Sequence, residues 1–359
     1  MQIGIVGLPN VGKSTVFNAL TTGHAAASDY PFTTIEPNVG EVGVPDKRLS
    51  RLTVLFGPKK TTPACVRFVD IAGLVAGASR GEGLGNQFLG HIREVDAILH
   101  MVRLFESEEV VNTMGGVDPG RDIEVVETEL MLADLSTVEK ALEKLATKAR
   151  TGDKAAREMM PVLDVLKTGL SSGKPARVLG RDARLIKDIH LLTAKPVLFL
   201  GNIGEKADAG HVEALARLAQ ERSSESVCLS GKVEAEIVEL PEAERAVFLK
   251  EMGLDSSGLE RVIAAAFRLL RLRSFFTVRG EEVRATTVPA GTKAPQAAGA
   301  IHTDFERGFI KADVYRFEDI DRYGDAAVLR EKGLIRSEGR DYEVQDGDVC
   351  FFKFSPSSP

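Results

Sequence analysis

Short apolar segments recur along the first 230 residues and alternate with longer stretches of helical pattern. The first segment covers residues 2–6, and similar ones follow at 66–71, 97–102, 196–201 and 226–229. Runs of this length that are apolar throughout are typical of strands buried on both faces of a sheet. Because helix-length segments separate them, the pattern predicts an α/β domain with a mostly parallel sheet and helices on both faces.

One long interval, between the apolar segments at 97–102 and 196–201, lacks strand patterns. Apolar residues recur at helical spacing from Val126 to Leu145, and Gly152 with Asp153 indicates a turn. A second helix is predicted over roughly 154–170, antiparallel to the first. The pattern predicts a projecting helical hairpin, with a helix pair that merely caps the sheet as the alternative.

From about residue 275 the pattern changes to short alternating runs separated by Gly and Pro turns. These runs cover residues 283–288, 309–314, 342–344 and 349–354. They predict a compact, mixed β domain at the carboxyl end of the chain. The predicted division is therefore a discontinuous α/β domain (residues 1–120 and 190–274), an inserted helical arm (121–189) and a C-terminal β domain (275–359).

Composition narrows the class of protein. The net charge is −6, with 43% hydrophobic and 27% charged residues, which is typical of a globular protein and argues against one that coats nucleic acid. No apolar run is long enough for a membrane helix, no signal-peptide pattern opens the sequence, and the three cysteines are isolated. We therefore expect a cytoplasmic protein without a membrane or DNA partner.

A phosphate-binding loop is the strongest chemical motif in the chain. Residues 7–14 read Gly-Leu-Pro-Asn-Val-Gly-Lys-Ser and match the pattern G-x-x-x-x-G-K-[ST] between a predicted strand and a predicted helix. Backbone N–H groups of such a loop surround phosphates, its lysine contacts the β- and γ-phosphates, and its serine binds Mg²⁺. The predicted nucleotide contacts in this loop are Asn10, Val11, Gly12, Lys13, Ser14 and Thr15.

A second motif, Asp70-Ile71-Ala72-Gly73, ends a predicted strand and matches D-x-x-G. Asp70 is predicted to hold Mg²⁺ through a bound water, and the Gly73 N–H to sense the γ-phosphate. Between the two motifs, Thr33 and Thr34 are candidates to complete the Mg²⁺ shell when a triphosphate binds. Spacing alone does not choose between them, and a plain connector between prolines is the alternative.

The base-reading segment departs from the GTP-specific pattern Asn-Lys-x-Asp, since residues 202–205 read Asn-Ile-Gly-Glu. The longer Glu205 loses the geometry that reads the N1–H and exocyclic amine of guanine, and a misplaced polar partner discriminates strongly. We therefore predict ATP, with Asn202 bonding the base edge and Ile203 packing on it; relaxed base specificity is the alternative. Ser230, in a Ser-Gly-Lys loop, is predicted to close over the base.

Five segments together resemble the YchF subfamily of Obg-like ATPases, and the resemblance covers nearly the whole chain. They are residues 7–15, 30–37, 70–87, 202–205 and 294–310, the last of which resembles a TGS domain, a ubiquitin-like β-grasp. The resemblance implies a P-loop NTPase domain with an inserted coiled-coil arm and a C-terminal TGS domain. It also implies ATP preference, association with the ribosome or ribosomal RNA, and a role in regulating translation or stress responses. It favours Thr34 over Thr33 as the Mg²⁺ ligand.

The predicted catalytic machinery lacks one familiar part. Ras-like enzymes orient the attacking water with a glutamine after D-x-x-G, but Leu74 stands there, as is normal for the family. Many family members carry a histidine after the fourth strand, and alignment places Asn112 at that position. Asparagine can bond a water but cannot take up a proton near neutral pH. We expect slow hydrolysis, with Lys13, Thr34, Gly73 and Asn112 as catalytic residues.

Several alternatives stay open beside this interpretation. His91 and His100 lie near enough in sequence to replace Asn112, although both positions are more typical of structural histidines. Arg80 is a candidate arginine finger, and Asn10 a candidate K⁺ ligand by likeness to K⁺-stimulated relatives. The remaining function classes are an Obg-type GTPase, or an RNA- or ribosome-binding module in which the nucleotide only sets conformation. An excess of Lys and Arg over residues 140–187 favours phosphate contacts by the arm.

Overall fold

The computed structural model describes residues 1–23, 38–71, 84–107, 115–179, 189–205 and 207–355. These residues fall into two compact units. The first contains residues 1–23, residues 38–40, and the described residues from 67 to 269. The second contains residues 41–66 and the described residues from 270 onward.

A six-stranded sheet forms the core of the first unit, in the order β2-β4-β1-β5-β6-β7. Its strands are β1 (Gln2–Val6), β2 (Val39–Gly43), β4 (Cys65–Asp70), β5 (Ala97–Leu104), β6 (Val197–Ile203) and β7 (Glu225–Leu229). β1 pairs in parallel with β4 and β5, and β5, β6 and β7 continue in the same direction. All eight residues of β5 are buried. The predicted parallel sheet is confirmed, and its carboxyl ends share one edge.

The helices of this unit are α1 (Lys13–Gly23), α3 (Leu84–Glu94), α4 (Pro119–Arg150), α5 (Lys154–Ser171), α6 (Ala209–Glu221), α7 (Gly231–Glu239), α8 (Glu242–Glu251) and α9 (Gly258–Leu269). α4 begins after Asp118, which accepts a hydrogen bond from Arg121 N at 3.0 Å. α5 begins after Asp153, which accepts from Ala156 N at 3.1 Å. The turn between them needs φ = +97° at Gly152, a conformation that glycine adopts without steric cost.

The inserted helices form the antiparallel hairpin that the sequence predicts. Their shared core contains Met131, Val138, Leu163, Leu166 and Leu170. Beyond Val138, α4 has no fully buried residue. α4 is longer than its periodicity suggests, because its first turns pack beside β5 and α6. The helical insertion is thus confirmed.

Two buried carboxylates stabilise the root of this hairpin, the end at which α4 begins and α5 ends. Glu127 on α4 accepts a hydrogen bond from Arg177 and one from Arg222 Nε, the latter at 2.9 Å. Asp134, about two turns further along, accepts from the N–H groups of Leu192 and Thr193, both at 2.8 Å, and from the Thr193 hydroxyl at 2.6 Å. Charged acceptors with several donors are well suited to burial. The root therefore connects α4 to the segment that enters β6.

The second unit contains another six-stranded sheet, in the order β11-β10-β12-β8-β9-β3. Its strands are β3 (Lys60–Thr62), β8 (Leu272–Arg279), β9 (Glu282–Pro289), β10 (Phe309–Arg316), β11 (Arg336–Glu338) and β12 (Asp348–Phe354). Its helices are α2 (Lys47–Phe56), α10 (Ala294–Gly299), α11 (Thr303–Arg307), α12 (Phe317–Tyr323) and α13 (Ala326–Glu331). Phe275, Phe309 and Phe352 form its core together with the alanines of α10.

Two features of the second unit differ from the sequence-based expectation. Residues 41–66, apart from the ends that complete β2 and β4 of the first sheet, belong here, because β3 pairs in parallel with β9 and Arg48 on α2 forms an ion pair with Asp346 at 2.7 Å. The predicted boundary at residue 275 would cut β8, and the predicted strand at 342–344 is reduced to one bridge between Lys293 and Glu343. Periodicity along the chain shows neither pairing, since both partners lie far apart in sequence.

Among the described helices, none has the length and apolarity of a membrane span.

Candidate nucleotide-binding site

The phosphate-binding loop runs from the end of β1 into α1, as predicted. Asn10 and Gly12 have positive φ angles of 63° and 94°, which turn the backbone back on itself. Gly7 lies so close to β5 that a Cβ there would be 2.6 Å from the carbonyl oxygen of Met101. The first glycine is therefore required by close packing, and the second by backbone conformation.

Lys13 is the first residue of α1, where the loop ends, and is only 9% exposed. Its Nζ donates to the carbonyl oxygens of Leu8 at 2.8 Å and Gly7 at 3.1 Å. Burial lowers the pKa of Lys13, and the nearby Asp70 carboxylate partly opposes that effect. An ammonium held by carbonyl oxygens inside a curled loop is directed at the position where phosphates bind in such loops.

Ser14 and Asp70 come from different elements and meet beside the loop. The Ser14 hydroxyl donates to Asp70 Oδ2 at 3.1 Å. Asp70 Oδ1 is buried and accepts no hydrogen bond from the part of the chain that the structure describes. A buried carboxylate oxygen without a donor is costly, and a water bound to a divalent cation would satisfy it. This donor set of hydroxyl and carboxylate oxygens fits Mg²⁺.

Asn202, at the end of β6, has a different position from the one expected of a base reader. Its Nδ2 donates to Val11 O in the phosphate loop, and its Oδ1 accepts from Gly231 N, both at 2.9 Å. The side chain is buried, and a Cβ at Gly12 would lie 2.4 Å from Nδ2. The amide therefore joins three segments of the site. The geometry favours this positioning role over the predicted bond to the base edge.

The other base-side residues line the same opening. Glu205 Oε1 accepts a hydrogen bond from Lys232 Nζ at 2.7 Å, and both side chains are 69% exposed. That hydrogen bond lowers the pKa of the Glu205 carboxyl. Ser230 accepts from Val233 N at 3.5 Å and so begins α7. Ile203 is half-buried.

One cavity of about 690 Å³ unites most of the predicted residues that the structure describes; Val11 and Asp70 do not line it. Its walls are residues 10 and 12–15 of the phosphate loop, 202–205 after β6 and 230–232 before α7. Sequence reasoning missed a fourth wall, Phe105, Glu106 and Ser107 directly after β5. The guanidinium of Arg103 lies 4.3 Å from the centre of the Phe105 ring. Phe105, Glu106 and Ser107 directly follow the carboxyl end of a strand, and that position was the signal that could have indicated them.

Comparison with known proteins agrees with this arrangement. A family model described as 50S ribosome-binding GTPase matches residues 2–155, and the YchF-GTPase C-terminal model, described as a protein of unknown function (DUF933), matches residues 272–355. The ribosome-binding ATPase YchF of Bacillus subtilis is 48% identical over 363 residues, covering 99% of each chain. That of Escherichia coli O157:H7 is 47% identical over 359 residues, with the same coverage. The chain belongs to the YchF family.

Two solved structures have a fold similar to that of this chain over nearly its full length. The YchF GTPase of Schizosaccharomyces pombe superimposes with a TM-score of 0.89 at 36% identity, covering 98% of this chain and 97% of that one. A GTP-binding protein from Pyrococcus horikoshii OT3 has a TM-score of 0.65 at 21% identity, covering 99% of this chain and 100% of that one; this second likeness concerns the fold alone. The predicted family and fold class are confirmed.

Several predicted site residues of this YchF-family chain lie outside the described residues. They are Thr33, Thr34, Gly73, Leu74, Arg80 and Asn112. Of the two alternative histidines, His91 lies exposed on α3. His100 is 3% exposed in β5, with its ring 5.3 Å from that of Phe199. Burial lowers the pKa of His100 to about 4, so it is neutral at pH 7 and part of the core.

Proposed function

We propose that this protein binds ATP in the cavity beside the phosphate loop and hydrolyses it slowly to ADP and phosphate. The observation that carries the proposal is that Lys13, Ser14 and residues 202–205 line one cavity, while Asp70 is bonded to Ser14. The curated relatives named above are ATPases by name. This chain shares their length and, at 47–48% identity, nearly half of their residues.

Mg²⁺ is the cation that we expect at the phosphates. Ser14 would bind it directly and Asp70 through a water, with Thr34 as the third proposed ligand. When bound, Mg²⁺ supplies positive charge that offsets the charge developing on the phosphate oxygens. Lys13 already stands in a buried position where its ammonium can contact the same oxygens. K⁺ beside Asn10 is a further proposal, and equal turnover in K⁺ and Na⁺ buffers would exclude it.

Slow turnover is expected because the attacking water lacks a strong base. Asn112 is the proposed positioning residue, and the N–H of Gly73 is proposed to sense the γ-phosphate. His100 is buried and neutral, so it offers no substitute base. Without a glutamine or a confirmed arginine finger, we expect intrinsic turnover well below ~1 s⁻¹, since a finger alone contributes roughly 10³–10⁵ in rate.

ATP preference rests on the residues that replace the guanine-reading pair. Lys232 occupies one oxygen of Glu205 at 2.7 Å, so that oxygen is already bonded when a base arrives. Guanine would need a carboxylate in fixed bidentate geometry. Ile203 supplies an apolar surface for a base ring. The GTPase function is the second candidate, because the fission-yeast relative of known structure carries that name.

We infer ribosome association from the names of the relatives and from the charge of the helical arm. The exposed face of the arm carries Lys144, Lys148, Arg150 and Lys154. Cationic side chains of this kind give affinity for RNA phosphates. The proposed setting is the cytoplasm, the proposed role is regulation of translation or of stress responses, and the arm is proposed to be a coiled coil.

The second unit supports a TGS-like interpretation. In it, residues 294–310 form α10, α11 and the start of β10, and α10 packs on the sheet. A small sheet with a helix across one face is what a β-grasp requires. We propose a TGS domain that also includes residues 41–66 and begins near residue 270, rather than the predicted range 275–359.

Competitive nucleotide titration tests the enzyme proposal. Purified nucleotide-free protein would be titrated with fluorescent ATP and GTP analogues in Mg²⁺ buffer, with each displaced by unlabelled nucleotide. Preference for ATP, together with measurable phosphate release, supports the ATPase. Preference for GTP would indicate that the protein is a GTPase. Binding of ATP without any turnover would favour a binding module in which the nucleotide only sets conformation. Lys13→Met should abolish binding, whereas Lys167→Met on the arm should not.

A further inference from the structure

The far end of the helical arm contains a groove between α4 and α5. It has a volume of about 710 Å³, and residues of the last turns of α4, the first turns of α5, and Ile189 line it. Its floor is apolar: Ala156 and Leu163 are fully buried, and Leu145 and Met159 are half-buried. A surface of this kind is uncommon on a solvated helix pair.

Lysines form the α4 rim of this groove. Lys144 and Lys148 line it and are both exposed. Neither has an acidic partner within the described ranges of the chain. Residues 140–157 contain six Lys or Arg and two Asp or Glu, a net charge of +4. One of those two acids, Asp153, is already bonded to the first turn of α5. The groove is therefore apolar in its floor and positive around it.

We propose that this groove binds an acidic amphipathic helix of a protein partner. Such a helix would place apolar side chains on Leu145 and Met159 and carboxylates against Lys144 and Lys148. Helices bind apolar grooves in this way through residues spaced three and four apart. The proposal rests on the proposed ribosome association and specifies it, since the partner would be a ribosomal protein.

RNA explains only part of this surface. Lysines alone suffice to bind phosphates, and a phosphate backbone gains nothing from an apolar floor. A protein helix uses both features, because apolar anchors supply most of the affinity in such contacts and charges select the partner. The combination of floor and rim therefore favours protein over ribosomal RNA.

Charge-neutral substitutions separate the two partners. Met159→Gln keeps the charge and approximate volume of the side chain but makes the floor polar. Its matched control is Met160→Gln, because Met160 is the next residue of α5, is equally half-buried, and does not line the groove. Co-sedimentation of the full chain with purified ribosomes, with ATP analogue present, would give the affinities. Thermal unfolding would verify that both variants are folded.

We expect Met159→Gln to weaken ribosome binding about fivefold to tenfold, as loss of an apolar anchor does, and Met160→Gln to leave it unchanged. Lys144→Gln with Lys148→Gln should weaken binding and reduce its salt dependence. Equal affinities of the two methionine variants, with sensitivity to the lysine variants only, would assign the arm to RNA and overturn the proposal. If the wild type fails to sediment with ribosomes while still binding ATP, the proposed ribosome association itself is wrong.

A photo-crosslinking residue at position 147, where Thr147 lines the groove and is exposed, gives an independent readout. The crosslinked ribosomes would be divided and digested with ribonuclease or with protease. A label that remains on a ribosomal protein, at a helix rich in Asp and Glu, supports the proposal. A label found only on ribosomal RNA contradicts it.

Discussion

The side-chain amide of Asn202 donates a hydrogen bond to the backbone carbonyl of Val11 at 2.9 Å. This bond joins the carboxyl end of β6 to the phosphate loop, 191 residues apart in sequence. The same amide accepts a hydrogen bond from Gly231 N, so one side chain binds both the phosphate loop and the start of α7. The phosphate side and the base side of the cavity are therefore mechanically connected through a single buried residue.

Asn202→Ala should weaken ATP and GTP binding to the same degree, because the amide positions the loop and does not read the base. Loss of one partner of buried hydrogen bonds should also lower the free energy of unfolding by about 1–3 kcal/mol. Asn202→Asp is the informative companion, since it keeps the acceptor for Gly231 N but loses the donor to Val11 O. Nucleotide titration and denaturant unfolding measure both effects. A loss confined to ATP would place Asn202 on the base after all.

Asp70→Asn should weaken the binding of Mg²⁺ at the nucleotide site. The substitution keeps the bond from Ser14 but removes the negative charge that a bound cation requires. We expect the apparent affinity for Mg²⁺ to fall on the order of tenfold or more, the usual effect of removing an outer-shell partner. Titration of Mg²⁺ at fixed ATP measures it. Asp96→Asn is the control, because Asp96 accepts from Gln2 N at the opposite end of β1; an equal effect there would argue against a Mg²⁺ role for Asp70.

His100 should make stability depend on pH between about 6.5 and 4. Burial lowers its folded pKa to about 4; the Glu127 carboxylate partly opposes this shift, and the cations Arg177, Arg222 and Lys13 add to it. In this window the unfolded chain binds the extra proton, so stability falls as pH falls, by on the order of 3 kcal/mol across the window.

His100→Phe removes this titration while preserving an aromatic ring against Phe199. The difference in unfolding free energy between wild type and variant, measured from pH 7 to pH 4, isolates the histidine from the carboxylates that titrate nearby. The variant should lose the wild type's extra pH dependence and retain ATP hydrolysis at pH 7. A variant that folds and binds ATP but no longer hydrolyses it would make His100 part of the catalytic machinery.

Glu127→Gln should destabilise the root of the helical arm. Burial alone would raise the pKa of Glu127, but Arg177 and Arg222 outweigh it and hold that pKa below its ordinary value. Removing the carboxylate leaves two arginines without their partner, which costs about 3–5 kcal/mol when such a group is buried. Glu139→Gln is the matched control, since its ion pair with Lys167 at 2.9 Å is exposed and contributes about 0–1 kcal/mol.

The pH dependence of the Glu127 contribution follows from the direction of its pKa. A carboxyl with a lowered folded pKa contributes its stability fully above the unfolded pKa and loses it as pH falls through the folded value. Wild type should therefore lose more stability than Glu127→Gln in acid. Similar losses in the two proteins would show that the two arginines do not stabilise the ionised form.

Local patterns were sufficient for five of the six strands in the first sheet; β2 lies in a segment for which no strand was predicted. The apolar runs at 2–6 and 97–102 predict β1 and β5 because a strand buried on both faces needs an unbroken apolar sequence. The stripe from Val126 to Leu145 predicts α4 because one face of a helix packs on its neighbour. The phosphate loop was equally readable, since Gly7 and Gly12 stand where close packing and positive φ require them.

By itself, then, the sequence determined the order of most strands and helices, the phosphate loop and the family, since each depends on residues close together in the chain. Only the tertiary structure decided the rest. It placed residues 41–66 in the second unit through the β3–β9 pairing, gave Asn202 its two partners, added Phe105 to the cavity, and formed the groove of the arm. The physical reason is the same in each case: a hydrogen bond or a packed surface between segments far apart in sequence leaves no periodic trace in either segment alone.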